Sequence, residues 1–578
     1  MAIKRNQKIL RPEALHGRFV VVCVALGLMF SMLVARAAYI QVVSPDRLIH
    51  ESDLRTVRVS EDRVQRGNIT DRNGVELAVS VPVHTVWADP KVIHERGSLA
   101  DTRRWAALAE VFNVPVEQLL SKVEDPTRRF VYLQRMVTPG VANYVAQLRI
   151  PGVSLKEESR RFYPTGEISA HVVGITNIDG QGLDGIEAVF DEYLTGTSGQ
   201  RRYRRDGAGR VVEELEVTAS ELPQSIRLSI DQRVQAMAYT ELKRAVRYHQ
   251  ATSGSLVMVN VHTGEIIAMV NSPSYNPNNR TDVQAHQLRN RAISDSFEPG
   301  STVKPLVILG ALQSGDFDAE STLNTSPGWM TVGGRRVQDG RNEGELDLAG
   351  ILARSSNVGT SKLALHIGVN KLLENYYSVG FGTDTGVPLL GESMGQMRHR
   401  NRWYEFEVAA LSYGYGLSTT TIQLAQMYAI LGSGGIKRPL TVLAQDQVVE
   451  GERVFEQEYV ESVVKMLESV TGENGTGRRA GVPGYRVAGK TGTTRKAIAG
   501  GYGDEYVALF AGVMPASNPH FAMAVMINEP AGDRYHGGSV AAPVFSAVAE
   551  QAARILNLTP DNIDERAMRV AGFSGGAQ

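Results

Sequence analysis

Three short motifs follow one another along this 578-residue chain: Ser301-Thr302-Val303-Lys304, Ser355-Ser356-Asn357 and Lys490-Thr491-Gly492-Thr493. Pro299-Gly300 breaks whatever precedes Ser301, and residues 303–313 have helical composition. Ser301 therefore falls at a helix N-terminus, with Lys304 one turn on and on the same face. A serine hydroxyl is a poor nucleophile until a base takes its proton. A lysine is such a base only when neutral, a state favoured by burial and by nearby positive charge. The helix N-terminus also favours negative charge developing on Ser301.

The other two motifs supply what remains of an acyl transfer. Ser355 could pass a proton between Lys304 and a leaving amine, and Asn357 could hold the lysine and a substrate amide. If 490–493 lies on an edge strand, Gly492 lets a substrate backbone approach. The Thr491 and Thr493 hydroxyls then grip a terminal carboxylate, and Lys490 supplies positive charge. The amides of Ser301 and Thr493 form a candidate oxyanion hole. Alone, each motif reads as a capping serine, a solvated lysine or a polar loop. Together, in this order, they describe a serine ester intermediate.

One rival pattern overlaps the third motif. Gly484 to Thr491 satisfies G-x-x-x-x-G-K-[ST], the phosphate loop of nucleotide-binding ATPases. Such a loop follows a strand and opens a helix, whereas residues 485–488 read as strand and no helix-forming run follows Thr491.

The motifs need a frame. Asp231 is a good N-cap for a helix over 232–248. Residues 255–261 and 265–270 flank His262-Thr263-Gly264 as a β-hairpin, and 485–494, 506–513 and 521–527 are further β-rich runs. Residues 540–556 close with a helical pattern. Strands at both ends and helices between them predict an α/β (α+β) unit with a sheet of about five strands covered by helices. Pro515, Pro519 and Pro530 fall in or after its turns.

Residues 41–222 are polar and carry no catalytic constellation. Asn73-Gly74 predicts a tight turn between β-rich stretches 64–69 and 75–83, and 105–112 and 142–148 read as short helices. A pedestal or partner-binding module is the expectation. Upstream, residues 19–40 are long and apolar enough to cross a bilayer. Lys4, Arg5, Lys8, Arg11 and Arg18 precede them against one acid, Glu13, which predicts a cytoplasmic N-terminus and an external catalytic region. A signal peptide cut after Ala35-Arg36-Ala37 is the rival, disfavoured because the apolar run is too long. The single cysteine, Cys23, excludes an intrachain disulfide, and a net charge of −1 gives no case for nucleic acid. No His-Glu-x-x-His spacing suggests a metal.

The chain resembles the class B penicillin-binding proteins, in particular their cell-division (penicillin-binding protein 3) branch. Besides the three motifs, the likeness runs through Arg66-Gly67-Asn68-Ile69-Thr70-Asp71-Arg72-Asn73-Gly74, Gly180-Gln181-Gly182-Leu183-Asp184-Gly185-Ile186-Glu187, Tyr413-Gly414-Tyr415-Gly416 and Gly537-Gly538-Ser539. The resemblance implies a penicillin-binding/transpeptidase fold with an antiparallel sheet of about five strands. It implies a cytoplasmic tail (1–18), a transmembrane helix (19–40), a dimerisation-type pedestal (41–222), a transpeptidase domain (223–560) and a C-terminal tail (561–578). The activity implied is septal peptidoglycan D,D-transpeptidation without cofactor or metal, in the periplasm of a bacterium whose inner membrane holds the anchor. Ser301 would be the nucleophile, Lys304 the base and Ser355 the relay, aided by Asn357 and Lys490; Thr491, Gly492 and Thr493 would bind substrate. Partners implied are peptidoglycan stem peptides on lipid II-derived glycan strands, β-lactams acylating the same serine, the membrane glycosyltransferase FtsW and other division proteins. A β-lactamase or β-lactam sensor on the same fold is the alternative. The large pedestal, single anchor and lack of a deacylating acid motif favour the synthase.

Overall fold

The computed structural model describes residues 12–43, 50, 53, 56–62, 65–197, 199–206, 211–217, 221–398, 400, 402–498 and 500–562. The expected tails lie outside these residues for 1–11 and 563–578. The chain divides into two compact units, Met1–Val64 with Gly196–Leu222, and Gln65–Thr195 with Pro223–Gln578. The pedestal anticipated over 41–222 is thus shared between the two, and its residues 65–195 pack with the catalytic region.

In the smaller unit, the helix Pro12–Ala38 continues into a wide turn, Tyr39–Val43. Residues 16–42 form a helix long and apolar enough to cross a membrane, with a mean hydropathy of 2.3 over its most apolar 18 residues. Its side chains, Phe19, Leu26, Phe30 and Leu33 among them, are exposed and unpartnered by protein, as a lipid-facing helix requires. A three-stranded antiparallel sheet pairs Val57–Asp62 with Gly199–Arg205 and that strand with Val211–Val217.

In the larger unit, the long strand Glu76–Ala88 pairs with Val131–Val137 and Val153–Phe162. Helices Thr102–Phe112 and Pro139–Leu148 cover this sheet through Trp105, Leu108, Ala142 and Val145. The turn read at 71–74 is present. Asp71 takes the amides of Asn73 (2.7 Å) and Val75 (2.8 Å) on one oxygen and the amide of Gln232 (3.0 Å) on the other. That carboxylate therefore ties the pedestal turn to the first catalytic helix. Deeper in, Glu187 is fully buried and binds Arg66 and Arg161 at 2.6 Å each.

The catalytic elements, in chain order, are α1 (Gln232–Tyr248), β1 (Ser253–Asn260), β2 (Ile266–Ser272), α2 (Lys304–Ser314) and α3 (Leu348–Arg354). They continue with α4 (Asn357–Ile367), α5 (Thr421–Gly432), α6 (Gln457–Thr471), β3 (Ala488–Ile498), β4 (Gly501–Met514), β5 (Phe521–Asn528) and α7 (Ala542–Ile555). Asp231 caps α1 as expected, accepting the Arg233 amide at 3.0 Å. The sheet runs β2-β1-β5-β4-β3, antiparallel throughout.

Both faces of this sheet are covered, which explains the unbroken apolar runs in β1 and β5 where a half-exposed strand would alternate. Val234 and Leu242 of α1 and Phe545 and Val548 of α7 pack on one face. α2, α5 and α6 pack on the other, in the larger core. Every residue of α5 is buried, so its lack of a polar face follows from its position. The strand read at 485–494 lies further on: β3 runs to Ile498, paired with Gly501. The glycines around 500 are the tip of one long β3–β4 hairpin; Gly500 has φ 90°.

Candidate active site

Ser301 lies in a single tight turn, Gly300–Val303, that leads directly into α2. The turn is pinned from three sides. Tyr428 of α5 donates to the Thr302 carbonyl (2.9 Å), Gly300 donates to the Gly414 carbonyl (3.1 Å), and the Thr302 hydroxyl donates to the Pro299 carbonyl (2.6 Å). Pro305 sits in the first turn of α2, where a missing N–H costs nothing. Ser301 itself remains partly accessible.

Lys304 is fully buried. Its amine donates to the Ser355 carbonyl (2.6 Å) and to Asn357 Oδ1 (2.8 Å), with Ser355 Oγ at 3.3 Å. Two N–H groups of a neutral amine satisfy the two short contacts, which leaves its lone pair free to accept a proton from a hydroxyl such as that of Ser355. Burial pushes the Lys304 amine well below the usual lysine range. The positive charge of Lys490 pushes the same way, and the Asp339 carboxylate opposes both.

Ser355 ends α3 in the left-handed region, φ 60° and ψ 41°. Ser356 then caps α4 by accepting the Gly359 amide at 2.9 Å. This sharp α3–α4 junction aims the Ser355 carbonyl and the Asn357 side chain at the same amine. Asp339 supports it from the hairpin Trp329–Val332/Arg335–Gln338. Its carboxylate accepts the amides of Asn357 (2.5 Å) and Val358 (3.0 Å) and the Ser356 hydroxyl (2.6 Å). Sequence reasoning missed Asp339. Its only signal was an Asp-Gly pair after a short β-rich run, which reads as an ordinary turn.

The third motif lies on β3, whose outer edge pairs with no other described strand. Lys490 is fully buried and burial brings its amine down to about 7. It donates to Thr491 O and Oγ1, both at 3.3 Å. The Thr491 hydroxyl donates to Thr476 Oγ1 at 3.0 Å, and Thr493 Oγ1 accepts the Gly537 amide at 3.0 Å. Gly492 also makes room on the turn side of β3. A Cβ at Gly492 would lie 2.9 Å from Thr302 Cγ2 and 3.0 Å from the Pro299 carbonyl, so the missing side chain lets β3 close on the turn that carries Ser301.

The three motifs thus converge, through direct bonds for Lys304, Ser355 and Asn357 and through close packing of Gly492 on Pro299 and Thr302 in the segment that carries Ser301. The phosphate-loop reading of 484–491 fails, because its Gly-Lys-Thr lies inside β3 and opens no helix.

Comparison with known proteins agrees with this arrangement. Residues 254–550 match the penicillin binding protein transpeptidase domain, and 61–228 match the penicillin-binding protein dimerisation domain. The chain is 46% identical over 566 residues to the peptidoglycan D,D-transpeptidase FtsI of Escherichia coli (strain K12), covering 97% of this chain and 96% of that protein. It is 40% identical over 568 residues to FtsI of Buchnera aphidicola subsp. Schizaphis graminum, covering 98% of this chain and all of that one (100%). Among solved structures it is similar to penicillin-binding protein 3 of Mycobacterium tuberculosis complexed with aztreonam, with TM-score 0.67 and 26% identity over 87% of this chain and 98% of that chain. A Bifidobacterium adolescentis peptidoglycan synthetase superposes with TM-score 0.70 at 25% identity, over 88% and 98% of the two chains. The chain belongs to the class B penicillin-binding proteins, serine-type D,D-transpeptidases of peptidoglycan synthesis.

Proposed function

We propose that Ser301 Oγ attacks the penultimate D-Ala carbonyl of a stem peptide while the neutral Lys304 amine takes its proton. The observation that carries this reading is the burial of Lys304 with its amine on Ser355 and Asn357. As the C–N bond breaks, the proton leaves through Ser355 to the departing D-Ala amine. The acyl group, now an ester on Ser301, passes to an amine of a neighbouring stem, and Ser301 regains its proton by the reverse route. The amides of Ser301 and Thr493 stabilise the oxyanion. Thr491, Thr493 and Lys490 hold the terminal carboxylate, and Asn357 holds the substrate amide. A β-lactam acylates the same serine.

Residues 223–560 form the transpeptidase domain and 41–222 its pedestal, anchored in the bacterial inner membrane by residues 19–40 with the N-terminus cytoplasmic and the active site periplasmic. The positive charge ahead of that helix supports this orientation. The reaction serves septal wall synthesis, on strands delivered by FtsW among other division proteins; the likeness to FtsI supports this.

The test is covalent labelling of the full-length protein with a fluorescent penicillin, followed by peptide mapping. The label is expected on Ser301, and Ser301→Ala is expected to abolish it while the thermal transition is kept. A label retained by the variant would reject the assigned nucleophile. Rapid turnover of the acyl-enzyme would favour the β-lactamase alternative.

A further inference from the structure

Next to the hairpin Trp329–Val332/Arg335–Gln338 lies a groove of about 650 Å³ that the chemistry above leaves unused. Tyr377 and Trp403 offer it aromatic surface, and Asn370, Arg400 and Glu405 offer hydrogen-bonding groups. Its floor is a small core of Val332, Met330 and Leu365. The segments that line it carry four arginine–aromatic stacks: Arg336 on Trp329 (4.6 Å), Arg335 on Phe406 (5.0 Å), Arg402 on Tyr404 (5.6 Å) and Arg400 on Trp403 (5.7 Å). Flat aromatic surface beside amide, guanidinium and carboxylate groups suits a pyranose ring, which has an apolar C–H face and a polar edge.

The groove also lies at a telling distance. α4 begins at Asn357 in the active site and reaches the groove at Leu365. Those eight residues rise about 12 Å. A stem peptide joins its sugar at its N-terminal end, and the reacting carbonyl belongs to the penultimate residue. Four extended stem residues span about 13 Å. Arg398 lines both this groove and a second one of about 580 Å³, whose walls include Glu298 and Thr494 beside the motifs.

We infer that this groove is a subsite for the N-acetylated amino sugar that carries a reacting stem, so that one peptidoglycan strand is held by its glycan as well as by its peptide end. The inference rests on the transpeptidase reading above and adds to it the part of the substrate that a β-lactam lacks.

The test uses full-length protein in detergent micelles and two competitors of fluorescent penicillin: muramyl pentapeptide and the same pentapeptide without the sugar. The sugar-bearing competitor is expected to act at an about tenfold lower concentration, the effect of one good contact. Trp403→Ala and Tyr377→Ala are each expected to erase that advantage, leaving the sugar-free value and the rate of penicillin acylation as in the wild type. No advantage for the sugar in the wild type, or an advantage that survives both variants, would overturn the inference; the latter result would suit a groove made for a partner protein. Absence of penicillin labelling from the wild type would instead reject the reading of the active site, so the two failures are distinct. If Trp403→Ala loses labelling through misfolding, Tyr377→Ala decides alone.

Discussion

The carboxylate of Asp339 accepts the backbone amide of Asn357 at 2.5 Å, on a residue whose own side chain accepts from the Lys304 amine at 2.8 Å. One acid thus fixes the Ser-x-Asn turn and is also the negative charge that holds the lysine's proton affinity up. Asp339→Asn keeps the shape and removes the charge. The Lys304 amine then falls further, so the acid limb of the penicillin acylation profile is expected to move to lower pH. The plateau rate should drop about tenfold, since a hydrogen bond to a charged group contributes about 1.5–3 kcal/mol. A profile superimposable on the wild type would reduce Asp339 to a helix cap.

Lys490 makes stability depend on pH. Burial brings its folded-state value to about 7, against about 10.4 in an unfolded chain. Between the two, the unfolded state holds a proton that the folded state lacks, so stability rises with pH across this window. The melting temperature of Lys490→Met is expected to rise less steeply than that of the wild type from about pH 7 to about pH 10, within the window between the folded and unfolded values. Parallel slopes for the two proteins would contradict a buried lysine that titrates near 7.

Gly492→Ala places a methyl against Thr302 Cγ2, the Pro299 carbonyl and Leu509 Cβ, at 2.9, 3.0 and 3.1 Å. Overpacking of this kind costs about 1–3 kcal/mol, and here it pushes β3 off the turn that carries Ser301. A loss of penicillin acylation larger than the loss of stability is expected, read as acylation rate beside a denaturant midpoint. Wild-type acylation would mean that the close approach of strand and turn is irrelevant to the chemistry.

Glu187 is fully buried between Arg66 and Arg161. Glu187→Ala leaves Arg161 without its carboxylate and Arg66 with Asp191 alone, and is expected to cost about 3–5 kcal/mol. Glu95→Ala, which removes an exposed pair with Lys91, is expected to cost about 0–1 kcal/mol. Urea denaturation of the two variants measures the contrast, and equal midpoints would refute it.

The chemistry was legible because Ser301, Lys304, Ser355, Asn357 and Lys490 make sense only together, and their order along the chain limits how they can meet. The sheet was legible from β1, β2, β4 and β5, whose apolar runs are bounded by clear turns. The role of Gly492 was not, because a glycine in a strand says that something comes close without saying from which side. Asp339 was hidden for a related reason: its partners are backbone amides of residues 357 and 358 and a capping hydroxyl, and no residue type marks such partners. The division of 41–222 between two units was also beyond reach. It depends on contacts such as Asp71 with Gln232, which join residues far apart in sequence.

The order of strands has a consequence for biosynthesis. β1 is emerging from the ribosome long before its inner neighbour β5 exists, yet Ser253 must pair with Asn528, and β3 joins the sheet only through β4. Contacts this distant in sequence form late and slowly. Ser301 is therefore made early but waits, its surroundings incomplete, until nearly the entire polypeptide has been synthesised. A nascent or truncated chain ending before residue 521 has no cleft in which to acylate anything.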